Sequence, residues 1–286
     1  MSSIAVWPLG ADIGVEVSGV DLSQPLDDKT FKTIRAAWLD HSVLSFPAQS
    51  AMTVDNQIAF TQRLGVLISH HMPQFCLPGR PEVLVVSNVK EDGRPLGQEK
   101  AGRNWHTDYQ FLAEPASGSF LHAIEVPPDQ GNTLFIGMYA VFEALPADTR
   151  KRIAGLNVVH SRVRTWPILY PHRPPLSDEE AARTPDIVHP LVRTHPETGR
   201  HCLYLGDVMW AIEGMDLEEG QALLRELYEF ATAERFVLSY RWQPGDAVLW
   251  DNRCTMHCAT PFAEETYRRL MYRTTVRGER PFYASN

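Results

Sequence analysis

The sequence predicts a mainly β fold with flanking helices, two antiparallel sheets packed as a jelly roll in one domain spanning residues 1–286. Three observations predict it. Nine short segments are rich in β-branched and aromatic residues and are bounded by turn signals. Only four stretches space their apolar residues as a helix does. No repeat period, low-complexity tract or long linker divides the chain.

In chain order, residues 28–40 put Phe31, Ile34 and Trp38 on one helical stripe. Thr53 caps a helix running through Leu64, with Gly65 ending it. Residues 81–89, 119–126 and 132–136 read as strands. A helix over 147–154 follows Pro146 and stops at Gly155. Strands follow over 155–163, 189–195 and 200–206. Between the first two of these, residues 166–186 hold five prolines and the polar run SDEEAARTPD, the mark of a surface loop with at most one helical turn. Residues 217–231 align Leu217, Leu224, Leu227 and Tyr228 and place acids in the first turn, which suits the positive end of a helix dipole. Strands over 235–242, 246–250 and 268–276 complete the set.

A chain of 286 residues buries most of the surface it exposes when unfolded and needs no staple. Its net charge of −8 argues against a nucleic-acid partner, which calls for a basic face. No apolar run approaches the roughly 18 residues of a membrane span. The first residues, MSSIAVWPLGADIG, lack a basic start followed by an apolar block, so a cytoplasmic location is expected. Cys76, Cys202, Cys254 and Cys258 form no CxxC pair and are read as reduced, mostly buried thiols. The closeness of Cys254, His257 and Cys258 falls short of a structural zinc set.

The chemistry-bearing stretch is Asn104-Trp105-His106-Thr107-Asp108-Tyr109. On a strand, residues i and i+2 share a face, so His106 and Asp108 can offer an imidazole nitrogen and a carboxylate oxygen to one metal ion. A second imidazole would complete a two-His-one-carboxylate face of the kind that suits non-haem Fe(II). The candidate is His257, where the apolar strand ending at Trp250 runs into a polar turn. Surface strands also carry HxD pairs, and a half-buried histidine after a turn is common, so each piece alone leaves a structural role open. In Arg268-Arg269-Leu270-Met271-Tyr272-Arg273, Arg269 and Arg273 share one face. Two inward arginines are costly without anionic partners, and a guanidinium fork fits a carboxylate. Surface ion pairs are the alternative use of the same residues.

Taken together, NWHTD, then GNT at 131–133, then WDNRCTMH at 250–257, then RRLMYRTT resemble the taurine / 2,4-dichlorophenoxyacetate dioxygenase (TauD/TfdA) family. GVEVSGVDLSQPL, FTQRLG, HPLVRTHPETGR and RWQPGDAVLWDNR extend the likeness over nearly the whole chain. The resemblance implies a double-stranded β-helix core, jelly-roll or cupin-like, and oxidation that depends on Fe(II), 2-oxoglutarate and O2. It assigns the metal to His106, Asp108 and His257. It assigns the cosubstrate to Thr133, Arg269 and Trp250. Arg273 is implied as the anchor for an anionic substrate, with His70, Tyr109 and Phe111 beside it. The segment between His257 and Arg269 is one residue longer than the resemblance leads one to expect, so plain counting points to Arg268 and the strand face to Arg269. Asp108 stands where halogenating relatives lack a carboxylate, which implies oxygenation. Gly102 stands where the taurine enzymes carry an asparagine near the amine, a departure from taurine itself.

The implied substrate is a small organic anion of the sulfonate, alkyl sulfate or aryloxyalkanoate class. SNVKEDGRPLGQEKAGRNWHTDYQF is also similar to isonitrile-forming oxygenases of the same family, which act on N-carboxymethyl amino acids. Their cationic segment corresponds here to Trp166-Pro167-Ile168-Leu169-Tyr170, which has no cation. A zinc-loaded cupin-like hydrolase or binding protein is the reading from another class. His71, Trp166 and Tyr170 are further pocket candidates. Arg162, Arg164 and Arg173 read as a solvated loop face rather than a nucleic-acid site. A homo-oligomer, dimer or tetramer, is implied by the family.

Overall fold

Two antiparallel sheets face each other across one apolar core in the computed structural model, which describes residues 4–10, 12–70, 72–171 and 173–285. The larger sheet has eight strands in the order Ala5–Pro8, Val15–Ser18, Val43–Phe46, Ala247–Asp251, Ala116–Glu125, Leu270–Arg277, Arg80–Ser87 and Cys76–Leu77. All its pairings are antiparallel except that between Val15–Ser18 and Val43–Phe46. The smaller sheet is Val237–Tyr240, Thr133–Gly137 and Thr255–Ala259. Leu121, Phe135, Val248, Trp250 and Met271 fill the space between them. This is the expected jelly-roll core.

Seven helices flank the sheets among the described residues: α1 Asp28–His41, α2 Val54–Gln62, α3 Met138–Ala144, α4 Ala147–Ile153, α5 Arg162–Leu169, α6 Asp178–Arg183 and α7 Leu217–Ala231. The stripe Phe31, Ile34 and Trp38 buries α1 on the outer face of the large sheet, against Phe46, Phe120 and Leu249. Thr53 caps α2 in a reciprocal box with Asn56, and the helix ends two residues before Leu64. Leu223, Leu224 and Leu227 dock α7 on a satellite core that includes Leu203 and Ile212.

Several elements depart from the sequence reading. The strands Val43–Phe46 and Thr255–Ala259 are buried on nearly every residue, so no period-2 alternation marks them. The strands Ala5–Pro8, Val15–Ser18 and Met209–Ile212 are four residues each, too short to stand out. Helix α3 has no side-chain cap. The strand expected over 155–163 stops at His160, and Ser161 caps α5 by accepting a bond from the Arg164 amide. Pro167 lies inside α5 rather than breaking it, so part of the expected loop is helical; α6 supplies the expected single turn.

One buried histidine ties the fold to the chemistry-bearing loop. His189 donates its Nε2–H to the carbonyls of Gln110 and Leu112, at 3.1 and 3.0 Å. Burial lowers its pKa, the two carbonyls oppose that, Arg193 and Arg280 lower it further, and the result is about 4. The unfolded chain therefore takes up this proton near 6.5 and the folded chain only near 4. Stability from this group is present above pH 6.5 and is lost as pH falls toward 4. Roughly 2–3 kcal/mol should disappear between pH 7 and 4.5. His189→Gln should flatten that slope in urea unfolding, and an unchanged slope would contradict the assignment.

Candidate metal centre and substrate cavity

Three side chains from two distant parts of the chain meet at the open edge of the small sheet. His106 and His257 exchange both backbone hydrogen bonds as an antiparallel bridge, at 3.0 and 2.9 Å. Their rings are 4.2 Å apart. The expected strand at 106–108 is not there. His106 contributes this single bridge, and the chain then turns, with Tyr109 in the left-handed region at φ 59°. Asp108 thus reaches its neighbours from a turn rather than from the face of a ladder. Its oxygens lie 3.7 Å from His106 Nε2 and 3.9 Å from His257 Nε2. One ligand atom from each of the three falls within 4.8 Å of the others. Atoms each about 2 Å from one ion have comparable separations.

The surroundings set the charge state of each donor. His106 Nδ1–H donates to the Asn104 carbonyl at 2.8 Å, which turns Nε2 toward Asp108; burial opposes the imidazolium, and the bond to Asp108, then the Asp207 charge, overcome it and raise the His106 pKa. Burial, reinforced by the neighbouring His106, holds the His257 pKa well below its usual value and keeps the imidazole neutral. Burial opposes the charge on Asp108. The Arg273 guanidinium, then the bond to His106, overcome it and hold the carboxyl well below the usual carboxylate range. Arg273 Nη1 donates to Asp108 Oδ1 at 2.9 Å.

Asp108 is fixed from behind as well. The Ser119 hydroxyl donates to Asp108 Oδ2 at 2.6 Å and accepts from Asn252 Nδ2 at 2.9 Å. Asn252 Oδ1 accepts from Trp250 Nε1 at 2.9 Å and from the Asp108 amide at 3.3 Å, while its carbonyl accepts from Thr107 Oγ1 at 2.7 Å. Ser119 lies on the central strand Ala116–Glu125, between Trp250 and Thr275. Neither Ser119 nor Asn252 was singled out by sequence, since a lone serine or asparagine carries no spacing signal. Ser119→Ala should weaken metal binding about 10- to 100-fold with little change in melting temperature. Equal metal affinity in competition with a chelating dye would contradict that role.

A cavity of about 130 Å³ opens beside this group, and His106, Asp108 and Arg273 contribute to its wall. His70, Tyr109, Phe111, Trp166 and Tyr170 line it too. His70 and Tyr109 pack edge to face, with centroids 6.0 Å apart. Burial pushes the Tyr109 hydroxyl up to about 12 against the pull of Arg273. His71 lies outside the described residues. Gly102 also lines the cavity, at φ 68°, and a Cβ there would stand 3.0 Å from His106 Cε1. An asparagine at this position would press on the imidazole. The arginines expected on a solvated loop divide instead. Arg164 is exposed and pairs with Asp186, whereas Arg162 is buried and lines the cavity, because helix α5 turns it inward.

A second, smaller cavity is lined by Arg269 together with Asn88, Arg103 and Phe262. Arg268 is on the outside, paired with Glu125 at 2.7 Å. Arg269 is buried, and its Nε has no hydrogen-bond partner among the described residues. Burial, then the like charge of Arg103, lower its pKa to about 10. Asn88 Oδ1 accepts from the Arg269 amide at 2.8 Å and fixes the start of the strand. A guanidinium in this setting calls for an anion. Thr133 and Trp250 are buried and line neither cavity. Thr133 accepts from Trp242 Nε1 at 3.0 Å, and the Trp250 ring packs 4.8 Å from that of His257.

A second compact donor group, His195, Asp251 and Cys254, is fully buried. Arg253 binds both oxygens of Asp251, at 2.8 and 2.6 Å, and joins Glu197, so this carboxylate is already neutralised within the fold. The four cysteines are free thiols, three of them buried.

Residues 5–275 match the family described as taurine catabolism dioxygenase TauD, TfdA. The chain belongs to this family. Among its relatives, the (S)-phenoxypropionate/alpha-ketoglutarate-dioxygenase of Sphingobium herbicidovorans is 35% identical, over 96% of this chain and 95% of that one. The alpha-ketoglutarate-dependent sulfate ester dioxygenase of Pseudomonas putida is 31% identical, over 96% and 90%. Among solved structures, AAD-2 in complex with Mn(II) and N-oxalylglycine superposes with a TM-score of 0.85 at 33% identity, covering 97% of this chain and 99% of that one. No helix among the described residues is long and apolar enough to cross a membrane.

Proposed function

We propose that this TauD/TfdA-family chain is an Fe(II)- and 2-oxoglutarate-dependent dioxygenase that hydroxylates a small organic anion. The observation that carries the reading is the meeting of His106, Asp108 and His257 beside a cavity, together with the buried guanidinium of Arg269 in a second, smaller cavity. Two imidazoles and one ionised carboxylate suit a divalent ion with further positions open for ligands. Iron with 2-oxoglutarate and O2 supplies oxidation of an unactivated C–H bond, with succinate and CO2 released. His106, Asp108 and His257 would hold the metal, with Ser119 and Asn252 fixing the carboxylate. Arg269 would take the distal carboxylate of 2-oxoglutarate, and Thr133 and Trp250 would support that subsite from within the sheets. Arg273 would bind the anion of the substrate, which then competes with Asp108 for the same guanidinium. His70, Tyr109 and Phe111 would form the pocket wall and exclude water.

The named activities of the relatives favour aryloxyalkanoates and sulfate esters. Hydroxylation of a carbon bonded to such an oxygen gives a hemiacetal-type product, which collapses to a carbonyl compound and the freed phenol or sulfate. The test is a panel of aryloxyalkanoates, alkyl sulfates and sulfonates with succinate release as the readout. Coupled turnover of at least one member is expected; an iron-loaded enzyme that couples none would overturn the reading. The same reading has a single domain over residues 1–286, homo-oligomeric in solution, which light scattering measures directly. It places the protein in the cytoplasm, consistent with the four free thiols.

A further inference from the structure

The wall of the substrate cavity contributed by α5 carries a buried positive charge with no ion-pair partner among the described residues. Arg162 is 8% exposed and lines the cavity. No carboxylate among the described residues lies within ion-pair distance of it. Its guanidinium instead sits over the rings of Phe111 and Trp166, at 5.2 and 5.0 Å. Arg173, from the segment after α5, sits over the same Trp166 ring at 5.9 Å and over Tyr170 at 4.7 Å. Its guanidinium donates to the Glu99 carbonyl at 3.3 Å. Two cations thus lie against one Trp166 ring, and burial together with the like charge of Arg173 disfavours the Arg162 charge. Glu180 favours the Arg162 charge, but its carboxylate accepts from the amide and hydroxyl of Ser177 at the start of α6. Asp207, a carboxylate on the same cavity wall, makes no ion pair with either arginine. A mostly buried arginine beside a second arginine is costly unless an anion enters between them. The aromatic rings add a flat apolar surface on which an aryl or alkyl body can lie.

We propose that Arg162 and Arg173 form a second anion subsite in the substrate cavity, so that the preferred substrate is an organic dianion. One anionic group would go to Arg273 beside Asp108, and the other to the α5 wall. This rests on the oxygenase reading above for the meaning of the cavity, but binding can be tested without oxidation. Metal-free protein is titrated calorimetrically with 4-carboxyphenoxyacetate and with 4-methylphenoxyacetate, which match in shape and differ in the second charge. The dianion should bind at least about tenfold more tightly, as a charged hydrogen bond in a sheltered site allows. Arg162→Met keeps a long apolar stem on the rings and should bring the ratio to about one, with the methyl compound bound as before. Arg162→Lys should keep part of the preference, and Arg173→Gln should lower it. A melting curve accompanies each variant; if Arg162→Met does not fold, the lysine and Arg173 variants decide. Equal affinity for the two compounds in the unaltered protein, or a preference that survives loss of Arg162, would overturn the proposal. So would acetate alone displacing the dianion at matched concentration. Failure of the succinate panel with these binding ratios intact would count against the oxygenase reading only.

Discussion

Asp108→Asn should remove coupled turnover and metal retention together. The substitution keeps the volume and the Ser119 bond but discharges the carboxylate that balances Arg273 at 2.9 Å. A neutral amide is a poor ligand for a divalent ion between two imidazoles, and it leaves the partly buried Arg273 cation without its partner. The fall in metal affinity should exceed the roughly 100-fold upper range seen when only an outer partner of a metal ligand is lost. Succinate release with substrate present should fall at least as far. The check is iron content after gel filtration beside succinate yield. Retention of iron at the level of the unaltered enzyme would show that Asp108 is not a ligand.

Arg269→Gln should act on the cosubstrate alone. Arg269 is buried, its Nε lacks a partner, and Arg103 stands beside it as a like charge. Losing one side of a sheltered charge pair costs about 2–5 kcal/mol, which is roughly 30- to several thousand-fold in KM for 2-oxoglutarate. Substrate affinity should hold, because Arg273 and the α5 wall are in the other cavity. Arg268→Gln is the control. Its exposed pair with Glu125 is worth at most about 1 kcal/mol, and KM for 2-oxoglutarate should not move. A large effect at Arg268 and none at Arg269 would reverse the assignment that the strand face favours.

These two predictions concern residues that were legible in the sequence, and the reason is physical. Metal and carboxylate binding need particular side chains in a fixed chain order, so NWHTD, the His257 turn and the RR-x-M-x-R strand stand out as a set. The alternation argument separated Arg269 from Arg268, and burial of one and exposure of the other follow it. The supporting residues were not legible. Ser119 and Asn252 act through contacts across 133 residues of chain, which local spacing does not encode. The strand placed under His106 and Asp108 was an error of the same kind. The two residues converge because His106 bridges to His257 and Tyr109 turns back, which is tertiary information. Proline-rich composition hid α5, and with it the inward path of Arg162. The buried strand Val43–Phe46 shows the limit of alternation: with both faces covered, no polar residue marks a solvent side.

The most direct test of the three-residue centre is an anaerobic titration of metal-free protein with Fe(II) and then 2-oxoglutarate. The expected result is one iron per chain and a weak visible charge-transfer band, with the band missing in Asp108→Asn. A colourless iron-loaded protein, or one that holds zinc in preference and ignores 2-oxoglutarate, would contradict it.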